Sequence, residues 1–284
     1  MKRFVKIDLS RLPAPDVIEP IDYEEILGEM KARAIELEPD LAPVLDLESE
    51  PAGKVLQVCA YYIMLARARV NDAGKAVMLA FATGSDLDHI GAMFGVARFP
   101  EEGDSAFRER VQLALEGFST AGPIGAYIFH TRSADARVKD VHVHSPEPGK
   151  VVVTVLSHEA DGTPADDLLA GVAAALNADN VRPLTDTIIV EAASVLTYEV
   201  EAVLHLFGEP DARIVRAAAF EATNAYVQDT HKLGRDVTIS GLHAALHQPG
   251  VMRVDLISPP ATIERNGTEA AFCTGISLAT EVAS

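Results

Sequence analysis

Histidines at two places in this sequence have the spacing of metal ligands. His243 and His247 are four residues apart on a predicted helix and would lie on one side of it, as two zinc ligands do. Asp140, His142 and His144 alternate along a predicted strand and would share one of its faces. Together the two groups could hold the metal of a metal-dependent hydrolase.

The surroundings of these histidines do not support that chemistry. Ala244, Ala245 and Leu246 separate His243 from His247, so the glutamate of the His-Glu-x-x-His pattern is missing. The other group falls in a different predicted domain. Histidines that face solvent or an interface are the more ordinary interpretation, and we predict no metal-binding residue. The hydrolase stays open as the alternative from a different class of protein.

Other signatures of catalysis or cofactor binding are missing as well. The turns at residues 122–125 and 162–164 contain glycine but lack the patterns that wrap phosphate in backbone amides. No Gly-x-Ser-x-Gly elbow is present. Cys59 and Cys273 lack the context of a nucleophile, and we expect both to be reduced, buried, small apolar residues. The sequence therefore predicts a protein that is not an enzyme, with no catalytic or cofactor-binding residue and no cofactor.

The charge balance restricts the possible partners. The 284 residues include 24 Lys and Arg against 42 Asp and Glu, a formal net charge of −18. Such a surface disfavours direct binding to nucleic acid or to anionic membranes. No apolar run approaches the roughly 20 residues of a membrane span, and the N-terminus lacks a signal-peptide core, so we predict synthesis in a cytoplasm without membrane insertion. The acidity suits a basic protein partner or simple solubility, and both interpretations stay open.

The first part of the chain has a helical pattern. Pro13, Pro15 and Pro20 predict an extended arm over residues 1–20. Apolar residues then recur at helical spacing, so we predict a helical region over residues 21–118. Its longest helix is expected to begin near Pro51 and to continue without a break to about residue 83.

Apolar residues in that long helix recur at alternating steps of three and four, which is typical of a coiled-coil seam. They are Leu56, Cys59, Ile63, Ala66, Val70, Ala73, Val77 and Ala80. About 30 helical residues make a rod of roughly 45 Å, longer than a small domain is wide. Two interpretations are open: the seam packs against other chains, or the helix is internal to a helical domain.

From residue 119 onwards strands alternate with helices. A predicted hairpin, a helix and a third strand form a middle α/β domain over residues 119–195. A strand that alternates apolar and polar residues opens a C-terminal α/β domain over residues 196–284, which ends in a strand at about residues 272–282. The predicted fold class is α+β: an N-terminal helical region with one long helix, followed by two small α/β domains.

Stretches spread along the whole chain resemble the baseplate assembly protein J family, the baseplate J-like proteins of contractile-tailed phages and tailocins. They include Leu47-Glu48-Ser49-Glu50-Pro51, Arg69-Val70-Asn71-Asp72-Ala73 and residues 78–89, 117–123, 134–140, 180–186 and 242–251. Their order and content make the resemblance specific, and none is a catalytic signature.

The resemblance implies a structural wedge subunit in the baseplate of a virion tail, assembled in the cytoplasm of a bacterial host. In such a wedge two copies join one smaller baseplate wedge protein through a helical bundle. Neighbouring wedges meet through their C-terminal domains to ring the central hub, next to sheath-proximal baseplate proteins. On this pattern the seam belongs to the bundle and residues 196–284 to the ring contact. A headless contractile injection particle would use the same kind of chain.

Overall fold

The computed structural model describes residues 7–13, 15–47, 49–119, 122–179, 181–208 and 211–282, without the side chains of Ser10 and Val282. Within this part of the chain there are eight α-helices and six β-strands. The chain forms two compact units, one extending to Gln112 and the other beginning at Leu113. Helices dominate the first unit and both sheets lie in the second, so the predicted α+β class is confirmed. The predicted middle and C-terminal domains fall within that second unit.

The first unit contains three complete helices and the start of a fourth, together with two short 3-10 turns at Leu9–Arg11 and Pro39–Leu41. The helices are α1 (Tyr23–Leu37), α2 (Pro51–Ala76), α3 (Gly84–Met93) and α4 (Asp104–Gly117). The carboxylate of Asp22 caps α1 by accepting hydrogen bonds from the amides of Glu24 and Glu25. Pro51 stands in the first turn of α2, as predicted.

The long helix is shorter than its sequence pattern predicted. Helix α2 has 26 residues, or about 39 Å of rise. It ends before Val77, which leaves the helical conformation, so the expected continuation to residue 83 is wrong. Arg108 of α4 donates to the carbonyl oxygens of Leu79 and Ala82 at 2.8 and 2.6 Å. Because these carbonyls bond to a guanidinium from another helix, the chain turns here instead of extending α2.

Helix α4 is held by a buried ion pair. Arg110 donates through Nε and Nη2 to the two carboxylate oxygens of Glu102, at 2.8 and 2.6 Å. Its guanidinium also lies 4.1 Å from the ring centroid of Phe99. The pair is nearly inaccessible to solvent, so it fixes the loop before α4 against the helix itself.

The second unit carries two three-stranded sheets with helices between their strands. In chain order its elements are α5 (Ile124–Ala134), β1 (Val138–Glu147), β2 (Lys150–Ser157), α6 (Asp166–Leu176), β3 (Thr187–Ala192), β4 (Ser194–Leu206), α7 (Ala212–Thr230), α8 (Ile239–Leu246), β5 (Val251–Ser258) and β6 (Glu269–Val282). The predicted hairpin and third strand are confirmed as β1, β2 and β3.

The first sheet has the order β1-β2-β3, with β1 antiparallel and β3 parallel to the central strand. Strand β2 is rich in valine and is buried from Val151 to Ser157. Leu168, Val172 and Leu176 of α6 pack on this sheet and belong to the same apolar cluster as Tyr127 of α5.

The second sheet has the order β5-β4-β6, with β4 antiparallel to β5 and parallel to β6. Val200, Ala202, Leu204 and Leu206 of β4 are almost fully buried, and α7 and α8 contribute to the apolar clusters that enclose them. The intervening glutamates at 199 and 201 are exposed. The predicted alternation along β4 is therefore confirmed: one face of the sheet packs on helices and the other is polar.

The two sheets meet at a small junction that combines apolar and polar contacts. Leu156, Ala193, Leu233 and Ala270 form a buried cluster there. The Asp140 carboxylate accepts a hydrogen bond from the backbone amide of Leu233 at 3.0 Å.

Next to this cluster, the Lys139 ammonium lies 2.7 Å from Nδ1 of His231. His231 is only 5% exposed. Burial, followed by the charge of Lys139, lowers its pKa to about 4. Other titratable groups also act on the pKa values of Lys139 and His231, among them Lys232, His158 and Asp161. Because a protonated imidazole could not accept a bond from the ammonium, the contact needs neutral His231.

Acid is expected to weaken this junction. Since the pKa of His231 is lowered from 6.5 to about 4, the unfolded chain binds more protons than the folded chain between those values. The contribution of neutral His231 to the free energy of unfolding is fully present above about pH 6.5 and is lost as the pH falls towards 4. The loss between about pH 7 and pH 5 is about 2 kcal/mol. Urea unfolding across this range measures the loss.

His231→Gln keeps an oxygen that can accept from Lys139 but removes the titration, so its unfolding free energy should depend less on pH. His247→Gln, at an exposed position in the same unit, is the control and should keep the parental slope. Equal slopes for all three proteins would contradict the assignment to His231.

Candidate partner-binding surface

The structure leaves most of the predicted seam exposed within this chain. Ile63, Ala66, Val70 and Ala73 are exposed along α2, whereas Leu56 packs partly against α1. The last two predicted members, Val77 and Ala80, lie beyond the end of α2, and their assignment to a continuous helical seam is wrong. The remaining positions still form one ridge, and its packing against a partner stays a prediction.

A different stripe of α2 packs inside the first unit. Ala60 is fully buried against Ile26 and Leu27 of α1. Gly53 lies so close to the backbone that a Cβ there would be 2.8 Å from the Leu45 carbonyl oxygen. Further along, Gly74 lies beside side chains of the N-terminal arm. This stripe also recurs at helical spacing, and the sequence pattern alone did not separate it from the exposed one.

Asn71 is the residue of α2 that the sequence reasoning missed. It is 7% exposed. Its side-chain oxygen accepts from the amide of Glu19 at 3.2 Å, and its side-chain nitrogen donates to the Glu19 carbonyl at 2.8 Å. Asn71 thereby pairs with the arm backbone as a neighbouring strand would. Asn71 lies in one of the stretches that carry the family resemblance, but its partner Glu19 is 52 residues away, so the local pattern gave no sign of this contact.

The opposite side of α2 is an apolar surface with no charged side chain, which we call the open face. Its residues are Val55, Cys59, Tyr62, Ile63, Ala66, Val70 and Ala73. At about 100° per residue they occupy roughly 100° of the helix circumference, a width typical of helices that pack on a core. Tyr62 and Val70 are nevertheless 65% and 64% exposed. The charged residues of α2 lie outside this arc.

Replacing Asn71 is expected to release the arm. Asn71→Leu removes both side-chain hydrogen bonds and leaves the backbone amide and carbonyl of Glu19 without a protein partner. The free energy of unfolding should fall by about 1–3 kcal/mol. Hydrogen exchange at the Glu19 amide should accelerate and the urea midpoint should fall. Asp72→Ala changes the exposed neighbour and should leave the exchange rate and the urea midpoint unchanged. If the two substitutions have equal effects, Asn71 does not hold the arm.

The histidines that could have formed a metal site are not gathered into one. His243 lies within α8, while His247 follows its last residue and is exposed. The rings of His142 and His144 lie 5.6 Å apart on β1, and His142 is packed against Gly267. Among the residues described, no three or more His, Cys, Asp or Glu side chains are grouped so that they could hold a metal ion.

Two further expectations concern the cysteines and the membrane. Cys59 and Cys273 are free thiols, as expected, but both are only half-buried, so the expectation of full burial is wrong. Cys59 contributes to the open face, which explains its exposure.

No helix in the part of the chain that the structure describes has the length and apolar character needed to cross a bilayer.

Comparisons with known proteins agree with the sequence resemblance. The family described as Baseplate J-like N-terminal domain matches residues 48–100, and the Baseplate J-like central domain matches residues 119–192. Baseplate protein J of Escherichia phage P2 is 46% identical over 288 residues, covering 94% of this chain and 95% of that protein. The open face lies inside the first matched range, and the whole β5-β4-β6 sheet lies after the second.

Comparison with solved structures gives a further, weaker similarity. One chain from a structure titled "Cryo-EM structure of the anti-feeding prophage (AFP) baseplate, 6-fold symmetrised" has a TM-score of 0.42 and 16% sequence identity, over 63% of this chain. This protein spans 43% of the length of that chain.

Proposed function

We propose that this chain is the structural wedge subunit of a contractile phage tail. The premise is that the chain belongs to the baseplate J-like family and is a baseplate subunit. In this role two copies and one smaller wedge protein form a wedge, and neighbouring wedges form a ring around the central hub. The subunit assembles in the bacterial cytoplasm and acts by holding other proteins in place. No cofactor takes part in this role.

The open face of α2 is the observation that carries the proposal. Residues 55–73 present apolar side chains over about 27 Å of helix, without a charge to desolvate on association. A helix from another chain that packs there would bury Tyr62, Ile63 and Val70 together. Burial of apolar area contributes about 25 cal/mol per Å², so a continuous helical contact of this length supports a stable bundle.

The occupants that we assign to this face are helices of the second copy and of the smaller wedge protein. The net charge of −18 opposes close approach between copies of this chain. An uncharged strip reduces that repulsion at the point of contact, and small residues such as Ala66 and Ala73 allow helices to approach closely. Both features favour helix packing over a loose charged contact.

The C-terminal region, residues 196–284, is assigned to contacts between wedges, next to the hub and the sheath-proximal baseplate proteins. Its β5-β4-β6 sheet has one face covered by α7 and α8 and another face that is polar and exposed around Glu199, Glu201 and Ser277. A ring that holds before contraction and opens afterwards needs an interface with two stable arrangements, which a surface contact allows and a packed core does not.

A charge in the open face should prevent wedge assembly. Ile63→Asp or Val70→Asp places a carboxylate where a partner helix packs, and its desolvation costs several kcal/mol. Because about 1.4 kcal/mol corresponds to tenfold in affinity, we expect the smaller wedge protein to be lost from co-expressed, affinity-purified complexes. Native mass measurement of the purified complex gives the readout.

Gln57→Asp is the matched control, since it places the same carboxylate at an exposed position of α2 outside the open face. It should retain the partner. Because all three positions are exposed in the single chain, the circular dichroism spectrum and the melting temperature should change little. If the complex survives both Ile63→Asp and Val70→Asp, the open face is not the wedge contact.

A further inference from the structure

Strand β6 is an edge strand of unusual length and composition. It has 14 residues, whereas strands in globular proteins average about five or six. Strand β4 pairs with one of its sides. Within the part of the chain that the structure describes, no other strand pairs with its opposite side. From residue 275 to residue 282 the pairing with β4 is regular, so this stretch presents a straight row of backbone donors and acceptors.

Residues 275–280 of this edge lack the features that usually prevent strands from pairing with other chains. Such features are charged side chains, proline and bulges within the edge. Although 23% of the chain is charged, residues 270–280 contain no charged residue and no proline. A register shift lies at residues 273–275 and leaves the following residues regular. The edge from residue 275 onwards is therefore open to strand addition.

The other edge of the same sheet is protected. Strand β5 carries Arg253 and Asp255, which form an ion pair at 2.8 Å. Pro259 and Pro260 follow its last residue and cannot donate to a neighbouring strand. One edge of the sheet is thus charged and ends in proline, whereas the other is regular and uncharged from residue 275 to residue 280. The contrast identifies β6 as the side on which another strand can pair.

We propose that β6 pairs with β6 of a second copy of this chain, antiparallel and across a two-fold axis, so that two three-stranded sheets become one sheet of six. The inference rests on the proposed function, because it names the element through which C-terminal domains of neighbouring wedges meet. Backbone hydrogen bonds supply much of the contact, and they are indifferent to the acidic charge of the two chains.

The second copy is the occupant that the side chains favour. A two-fold axis perpendicular to the sheet keeps the helices of both copies on one side, so residues opposite each other must face the same way. Centring the pair on Leu278 places Leu278 opposite its own counterpart. Ser277 then faces Ala279, and Glu281 faces Gly275, so no like charges are opposed.

Burial along β6 agrees with this arrangement. Ile276 and Leu278 pack against the helix-covered side of the sheet but are only half-buried. Their partners in the central strand, Val200 and Ala202, are almost fully buried. Joining a second β6 to the edge would cover Leu278 with its counterpart and complete the apolar layer beneath both sheets.

Disulfide trapping tests the pairing in the full-length chain. Ser277→Cys with Ala279→Cys, in a Cys59→Ala and Cys273→Ser background, places cysteines opposite each other in the proposed register. Arg253→Cys with Ile257→Cys on β5, in the same background, is the matched control, since both control positions are exposed. After mild oxidation of the co-expressed wedge complex, we expect about tenfold more covalent dimer from the β6 pair, because the thiols are held at high effective concentration.

Peptide mass spectrometry must then find the link between residues 277 and 279 of two copies. The inference is overturned if no covalent dimer forms, if the β5 pair links equally well, or if the β6 cysteines link to a protein of different sequence. Co-purification of the smaller wedge protein is recorded in the same samples. Retained co-purification without the β6 link refutes only the edge pairing, whereas a complex that survives both Ile63→Asp and Val70→Asp counts against the proposed wedge.

Discussion

The contact between α1 and α2 is the constraint on which the candidate partner-binding surface depends. Ala60 is small enough to let the two helices approach, and Asn71 holds the arm against the following turns of α2. These contacts use one stripe of the helix. Because a helix cannot turn without losing them, the stripe from Val55 to Ala73 is held outward. The exposure of so many apolar residues is therefore a consequence of packing elsewhere in the first unit.

The same physical pattern recurs in the second unit. A chain with a net charge of −18 exposes two uncharged features, the open face of α2 and residues 275–280 at the outer edge of β6. Association at either place avoids opposing the acidic surfaces of two copies. Side-chain burial would dominate at the helix and backbone hydrogen bonding at the strand, so the two contacts would respond differently to mutation. A bundle that stays closed and a ring contact that can open fit these two kinds of interaction.

Most helices and strands could be predicted from local patterns because their causes are local. Asp22 caps α1 by reaching amides two and three residues away, and Gly95 ends α3 with a positive φ. The alternation along β4 follows from one buried and one exposed face. The start of α3 instead depends on a contact distant in sequence: the Thr83 side chain makes no capping bond, and the Asp104 carboxylate accepts from the Gly84 amide.

The sequence by itself determined the α+β class, the order of helices and strands, the absence of charge from the predicted seam and, through its motifs, the family. Only the tertiary structure decided where α2 ends, because Arg108 reaches its carbonyl partners from a helix some 29 residues further along the chain. Only the tertiary structure decided which of two stripes on α2 is buried, since both recur at helical spacing. Periodicity specifies that a helix has an apolar side, but the neighbour that covers it is chosen by contacts distant in sequence.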